Sequence, residues 1–180
     1  SFGCSVSLTN NTALIGAVGY NSGMGSTYVF SRTGETWTQQ AKLLASDGSQ
    51  GDYFGISVSL SDNTALIGSC YDNDNGTQSG SAYIFISNGT TWNQQKKLFP
   101  IDGDAGAFFG YSVSLSSDTA IIGALNSDNG QGSAYVFTYY NGKWNQESKL
   151  FASDGYGFGW SVSLNGDYAL IGAVSSDAGK

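Results

Sequence analysis

The chain has 180 residues, enough for one well-buried core, with 26 Gly, one Pro, no His and a formal net charge of -7. Seven Lys and Arg give neither a phosphate-tracking nucleic-acid surface nor a polybasic patch for anionic lipid, and no apolar run is long enough to span a bilayer. Without His, Ser–His and Cys–His nucleophile pairs are excluded.

The chain opens directly on Phe2-Gly3-Cys4-Ser5-Val6-Ser7-Leu8, with neither an initiator Met nor a leader, as a mature product or an internal segment would. Ser and apolar residues alternate here, which predicts a half-buried strand. Thr12-Ala13-Leu14-Ile15-Gly16, an apolar run closed by glycine, predicts a second strand, and Ser26-Thr27-Tyr28-Val29-Phe30 a third. Trp37 to Leu43 predicts an outer strand with one wet face, ending in an Asp47-Gly48 turn. The next phrase, Phe54-Gly55-Ile56-Ser57-Val58-Ser59-Leu60, starts the series again. It returns at Phe109-Gly110 and Phe158-Gly159, so the phrases are 52, 55 and 49 residues apart. The other landmarks keep step, with TALIGS from Thr64, TAIIGA from Thr119 and YALIGA from Tyr168, and with Trp92 and Trp144 each heading a copy of the outer strand.

A four-stranded unit of about 50 residues, repeated, predicts an all-β fold built of β-propeller blades. Radial stacking buries both apolar faces of each unit, whereas a flat tandem sheet would leave them wet. The units run over 2–53, 54–108 and 109–157, with a partial unit at 158–180. That is about three and a half blades of a ring expected to hold seven. The remainder would come from further blades of a longer polypeptide or from other copies, in a ring or a filament. Gly55, Ser57 and Ser59 suit the crowded strand beside the axis, and Trp37, Trp92 and Trp144 the wide rim. Cys4 and Cys70 are too few for a disulfide scaffold and are expected to act as small buried hydrophobes.

Phe-Gly before the first strand and Gly-Ala after the second resemble the FG-GAP repeat, which builds the seven-bladed propeller head of integrin alpha chains. The matching pairs are Phe2-Gly3 with Gly16-Ala17, Phe54-Gly55 with Gly68-Ser69, Phe109-Gly110 with Gly123-Ala124, and Phe158-Gly159 with Gly172-Ala173. The likeness covers essentially the whole chain and is nearest to extracellular repeat proteins of this type rather than to integrins. Two features depart from it. The proline usual after Gly-Ala is replaced by Val18, Cys70, Leu125 and Val174, and the first hairpin turns are too short for the integrin calcium loop. No cofactor is therefore required. The best remaining cation candidate pairs Asp72 with Asp74, but the downstream bidentate carboxylate of a calcium loop is missing, and a solvated turn explains the segment as well.

No catalytic constellation stands apart from the repeat, so the chain reads as non-enzymatic. Glu35 and Glu147 fall at surface positions, and no strand leads into a phosphate-binding helix. The residue after Phe-Gly varies inside a constant frame, as Cys4, Ile56, Tyr111 and Trp160. Ile56, Tyr111 and Trp160 are thus candidates for a ligand pocket, with the two aromatics able to stack on a sugar, or else they fill gaps of differing size between blades. Three N-x-T sequons, at Asn10, Asn75 and Asn88, sit in predicted turns and are candidate N-glycosylation sites. The expected function is structural or adhesive, through protein partners at the surface of a cell or outside it. The alternative is a carbohydrate-binding propeller, with a propeller enzyme whose site lies in other blades as a third reading.

Overall fold

The computed structural model describes residues 1–175. The last five residues of the partial repeat lie outside them. Three four-stranded antiparallel sheets and one two-stranded sheet follow one another along the chain. The first comprises β1 (Val6–Thr9), β2 (Thr12–Gly16), β3 (Thr27–Thr33) and β4 (Thr36–Leu43). The second comprises β5 (Val58–Ser61), β6 (Thr64–Ser69), β7 (Ser81–Ser87) and β8 (Trp92–Leu98), and the third β9 (Phe109–Ser116), β10 (Thr119–Ala124), β11 (Ser133–Tyr140) and β12 (Lys143–Leu150). β13 (Ser161–Asn165) and β14 (Tyr168–Gly172) form the inner half of a fourth. Strand order within each sheet is the chain order, so every sheet is a meander, with short turns inside the inner and outer strand pairs and longer loops joining β2 to β3, β6 to β7 and β10 to β11.

These sheets are blades. The first strands β1, β5, β9 and β13 contact one another in succession, which puts them innermost and the Trp-bearing strands β4, β8 and β12 on the rim. Strand alternation divides each blade between two interfaces. In the second blade Ala65, Ile67, Tyr83 and Phe85 pack with Leu14, Val29 and Leu43 of the first, while Leu66 and Ile84 pack with Phe109, Val113 and Phe137 of the third. Adding a residue to one of these strands would exchange the two faces. A register shift between Ile84 and Phe85, repeated at Val29/Phe30 and Val136/Phe137, bends the rim strands in all three complete blades.

Neighbours decide the fate of equivalent residues. Phe54 and Phe109 are wholly buried, and burial of such a ring contributes roughly 2–3 kcal/mol. Phe158 is half-buried, and Phe2, with no blade in front of it, is 62% exposed. Trp92 and Trp144 pack against the interblade cores, as expected of rim fillers, while Trp37 lies against solvent with Arg32 over its ring. The two cysteines also differ. Cys70 is buried, and burial pushes its thiol up to about 12, but Cys4 is exposed, contrary to expectation. The two hold different places in the repeat, Cys4 after Phe-Gly and Cys70 after Gly68-Ser69.

Candidate functional site

The repeated phrase becomes intelligible at the blade junction. Ser57 Oγ donates to the carbonyl of Gly110 in the next blade at 2.7 Å, and Ser5 and Ser112 do the same to Gly55 and Gly159. That carbonyl comes so close to Gly68, at the end of β6, that a Cβ there would overlap it and Ser57 Oγ. Gly55 has φ +93°, which turns the chain from Phe54 into the inner strand, and a Cβ on it would crowd the Ser26 carbonyl. The second serine of each phrase makes a further link: the amides of Leu60, Leu115 and Leu164 donate to Ser7, Ser59 and Ser114 at 2.9–3.0 Å. Phe-Gly of one blade, Gly of the preceding blade and the serines between them are therefore a single joint.

A second joint lies farther out. Lys97 on β8 reaches Asp47 in the linker that enters the second blade at 2.9 Å, and Asp72 and Asp74 in the β6–β7 loop at 2.7 and 2.6 Å. Tyr83 donates its hydroxyl to Asp72 and Asp47 at 2.7 and 3.0 Å. Burial acts to lower the Lys97 pKa, but the carboxylates around it outweigh burial and hold the ammonium above its ordinary range. Burial likewise opposes ionisation of Asp47, yet Lys97 and Tyr83 draw its carboxyl below the usual carboxylate range. Burial and the two facing carboxylates push the Tyr83 phenol far up, so it stays a donor. The third blade repeats the arrangement with Lys149, Asp102 and Asp128, and Ser133 Oγ donates to Asp128 at 2.7 Å. Its Tyr135 is pushed up to about 12 by burial, against the pull of Lys149. In the first blade Lys42 instead lies 3.0 Å above the ring centroid of Tyr20.

The candidate cation ligands Asp72 and Asp74 are thus brought together, around an ammonium. Among the described residues no group of three or more His, Cys, Asp or Glu is disposed to hold a metal. Tyr111 and Trp160 meet across the third and fourth blades with ring centroids 5.0 Å apart, and Ile56 holds the same place, partly buried, one blade earlier. Tyr53, Tyr71 and Phe108 form a neighbouring aromatic row, with centroids 5.0 and 5.2 Å apart. Asn10, Asn75 and Asn88 are all exposed, and Asn88 Oδ1 accepts from Thr90 Oγ1 at 2.9 Å within its own turn.

A family model described as FG-GAP repeat matches residues 1–30, 37–85, 92–137 and 144–180. The chain belongs to the FG-GAP repeat family. No curated protein matches it. FG-GAP repeats are in general non-catalytic structural or adhesion modules, and no helix among the described residues is long and apolar enough to cross a membrane. The FG-GAP segments 37–85, 92–137 and 144–180 begin on a rim strand, so each of these three spans a blade joint rather than one sheet, whereas 1–30 lies within the first sheet. Sequence reasoning placed the FG-GAP landmarks but missed what Lys97 and Lys149 do. The available signal was the fixed company of Lys in the Trp motif, Tyr in SAYIF and Asp in the Asp-Gly turn, repeated in two consecutive units.

Proposed function

We propose that the chain is a non-catalytic structural or adhesion module of an extracellular assembly, held to its neighbours through blade faces. The observation that carries this reading is at its two ends. The leading face of the first blade exposes Phe2, Val6 and Leu8, whose counterparts Phe54, Val58 and Leu60 are buried. The trailing face of the fourth exposes Leu170 to 77%, where Leu66 is at 0%. Apolar faces of this kind call for partners, and the fitting ones are further blades of the same repeat, in the same polypeptide or in another copy. An acidic surface rich in Asn, Ser and Tyr, with sequons in exposed turns, supports the extracellular address.

The mass of the native polypeptide, denatured and assembled, tests the proposal. A denatured chain near twice the 18.8 kDa of these residues, or larger, means that the other blades are covalently joined. A chain of 18.8 kDa in a closed assembly means that copies supply them. A stable monomer of 18.8 kDa, with both ends open, sinks the idea.

A second reading, stacking of a sugar on Trp160 and Tyr111, is favoured by the 44% exposure of the Trp160 ring beside its tyrosine. No cofactor is needed on this reading, because the Lys97 ammonium already sits against Asp72 and Asp74 where a cation would bind. Chelation of calcium is therefore expected to leave the thermal unfolding midpoint unchanged, and a clear fall in that midpoint would count against it.

A further inference from the structure

The end of the blades that carries the β1–β2 and β5–β6 turns holds corresponding grooves at two consecutive junctions. Between the second and third blades the groove is about 190 Å³ and is lined by Thr64, Ile86, Gln95, Asp118, Tyr139 and Trp144. Its own residues narrow it, and Gln95, Tyr139 and Trp144 also line a second cavity of about 330 Å³ beside it. Trp144 Nε1 donates to Gln95 Oε1 at 3.2 Å, and Gln95 Nε2 donates to the Tyr139 hydroxyl at 3.4 Å.

Between the first and second blades the corresponding groove is about 270 Å³ and is lined by Thr12, Ser31, Gln40, Asp62, Asn63 and Trp92. Thr12, Gln40 and Trp92 stand where Thr64, Gln95 and Trp144 stand one blade on. Asp62 and Asn63 stand where Ser117 and Asp118 stand one blade on. Two further exchanges run in one direction, since Ser31 replaces Ile86 and Ser87 replaces Tyr139, and each of these removes bulk and leaves a hydroxyl. Neither the Gln40 amide nor the Trp92 indole N–H has a hydrogen-bond partner among the described residues.

We propose that this groove binds a neutral pyranose ring. The half-buried face of Trp92 offers the apolar platform for the ring's C–H face. Gln40, Thr12 and Ser31 supply both donors and acceptors to its hydroxyls, as a site selective for a polar ring requires. The groove has no Lys or Arg to pair with an anionic sugar, and the Asp62 carboxylate repels one. The site is distinct from Trp160 and Tyr111 and does not rest on the module's assembly.

Two sources can provide such a ring. It belongs either to a separate glycan or to one carried on Asn88 of the same chain, since Gly89 and Thr90 of that sequon border the groove. The experiment is saturation-transfer NMR of the chain produced without glycosylation, titrated with the methyl pyranosides of glucose, galactose and mannose. At least one is expected to receive transfer, with millimolar affinity. Ser87→Tyr, which copies the narrower junction, is expected to weaken binding at least tenfold with the unfolding midpoint kept. Trp37→Ala, at an exposed rim tryptophan outside the groove, is expected to leave binding intact. The source is read from the chain made in glycosylating cells. An Asn88 glycan seated on Trp92 abolishes transfer to the free pyranoside, whereas transfer that persists points to a separate glycan, and both support the site. Absence of transfer from the unglycosylated chain to all three sugars, or transfer that survives Ser87→Tyr, overturns the proposal.

Discussion

At the scale of single residues, the most constrained atoms are those a glycine lacks. Gly68 is crowded because the Gly110 carbonyl, held by Ser57 Oγ, comes from the next blade. Gly68→Ala is expected to cost roughly 1–3 kcal/mol, as overpacking of a tight interior does, measured by urea denaturation. Gly172 occupies the same place in the fourth blade but meets only Ser161 there. In the isolated chain Gly172→Ala is therefore expected to cost clearly less, and equal costs would mean that another blade covers it. None of this is legible in a single phrase. The recurrence of Gly16, Gly68, Gly123 and Gly172 marks them as structural, but the carbonyls that the first three must admit lie 36–42 residues away, on Gly55, Gly110 and Gly159.

At the scale of elements, the Lys97 joint ties a rim strand to the linker that enters its own blade. Asp72 is almost fully buried, so removing the ammonium leaves a poorly solvated carboxylate. Lys97→Met is expected to cost about 3 kcal/mol. Lys149→Met removes a pair whose carboxylates are 50% and 37% exposed and is expected to cost about 1 kcal/mol or less. The difference between the two variants, read from denaturation midpoints, checks the assignment. Its dependence on pH follows from Asp47. The folded pKa is depressed by Lys97, so the unfolded chain takes up the proton first as pH falls. The contribution of the pair is complete above about pH 4 and is lost as pH drops through the folded value. The stability gap between wild type and Lys97→Met is accordingly expected to be constant from neutral pH down to about pH 5 and to narrow below about pH 4. A gap that widens in acid would exclude this pairing. The strands themselves were legible from alternation, as in Val58 and Leu60, because that pattern is local. The ion pairs were not: Asp72 and Asp74 resemble the start of a cation loop until Lys97 is brought to them from the rim.

At the scale of the whole molecule, two features set what the chain can do: open apolar faces at both ends, and junctions that are similar without being identical. The first makes it a module rather than a finished ring. The second produces a groove between the first two blades that the next junction narrows with Tyr139. Repeat symmetry brings equivalent sites, and small departures from it, such as Ser87 in place of Tyr139, are where individual properties arise. The sequence by itself determined the blade architecture, the strand order and the positions of the landmark residues, because alternation, turn chemistry and periodicity are all short-range properties. Only the tertiary structure decided which glycine admits which carbonyl, which carboxylates share a lysine, and which of two like grooves is the wider. Each of those depends on atoms from adjacent blades, and distance along the chain carries no information about how closely they meet.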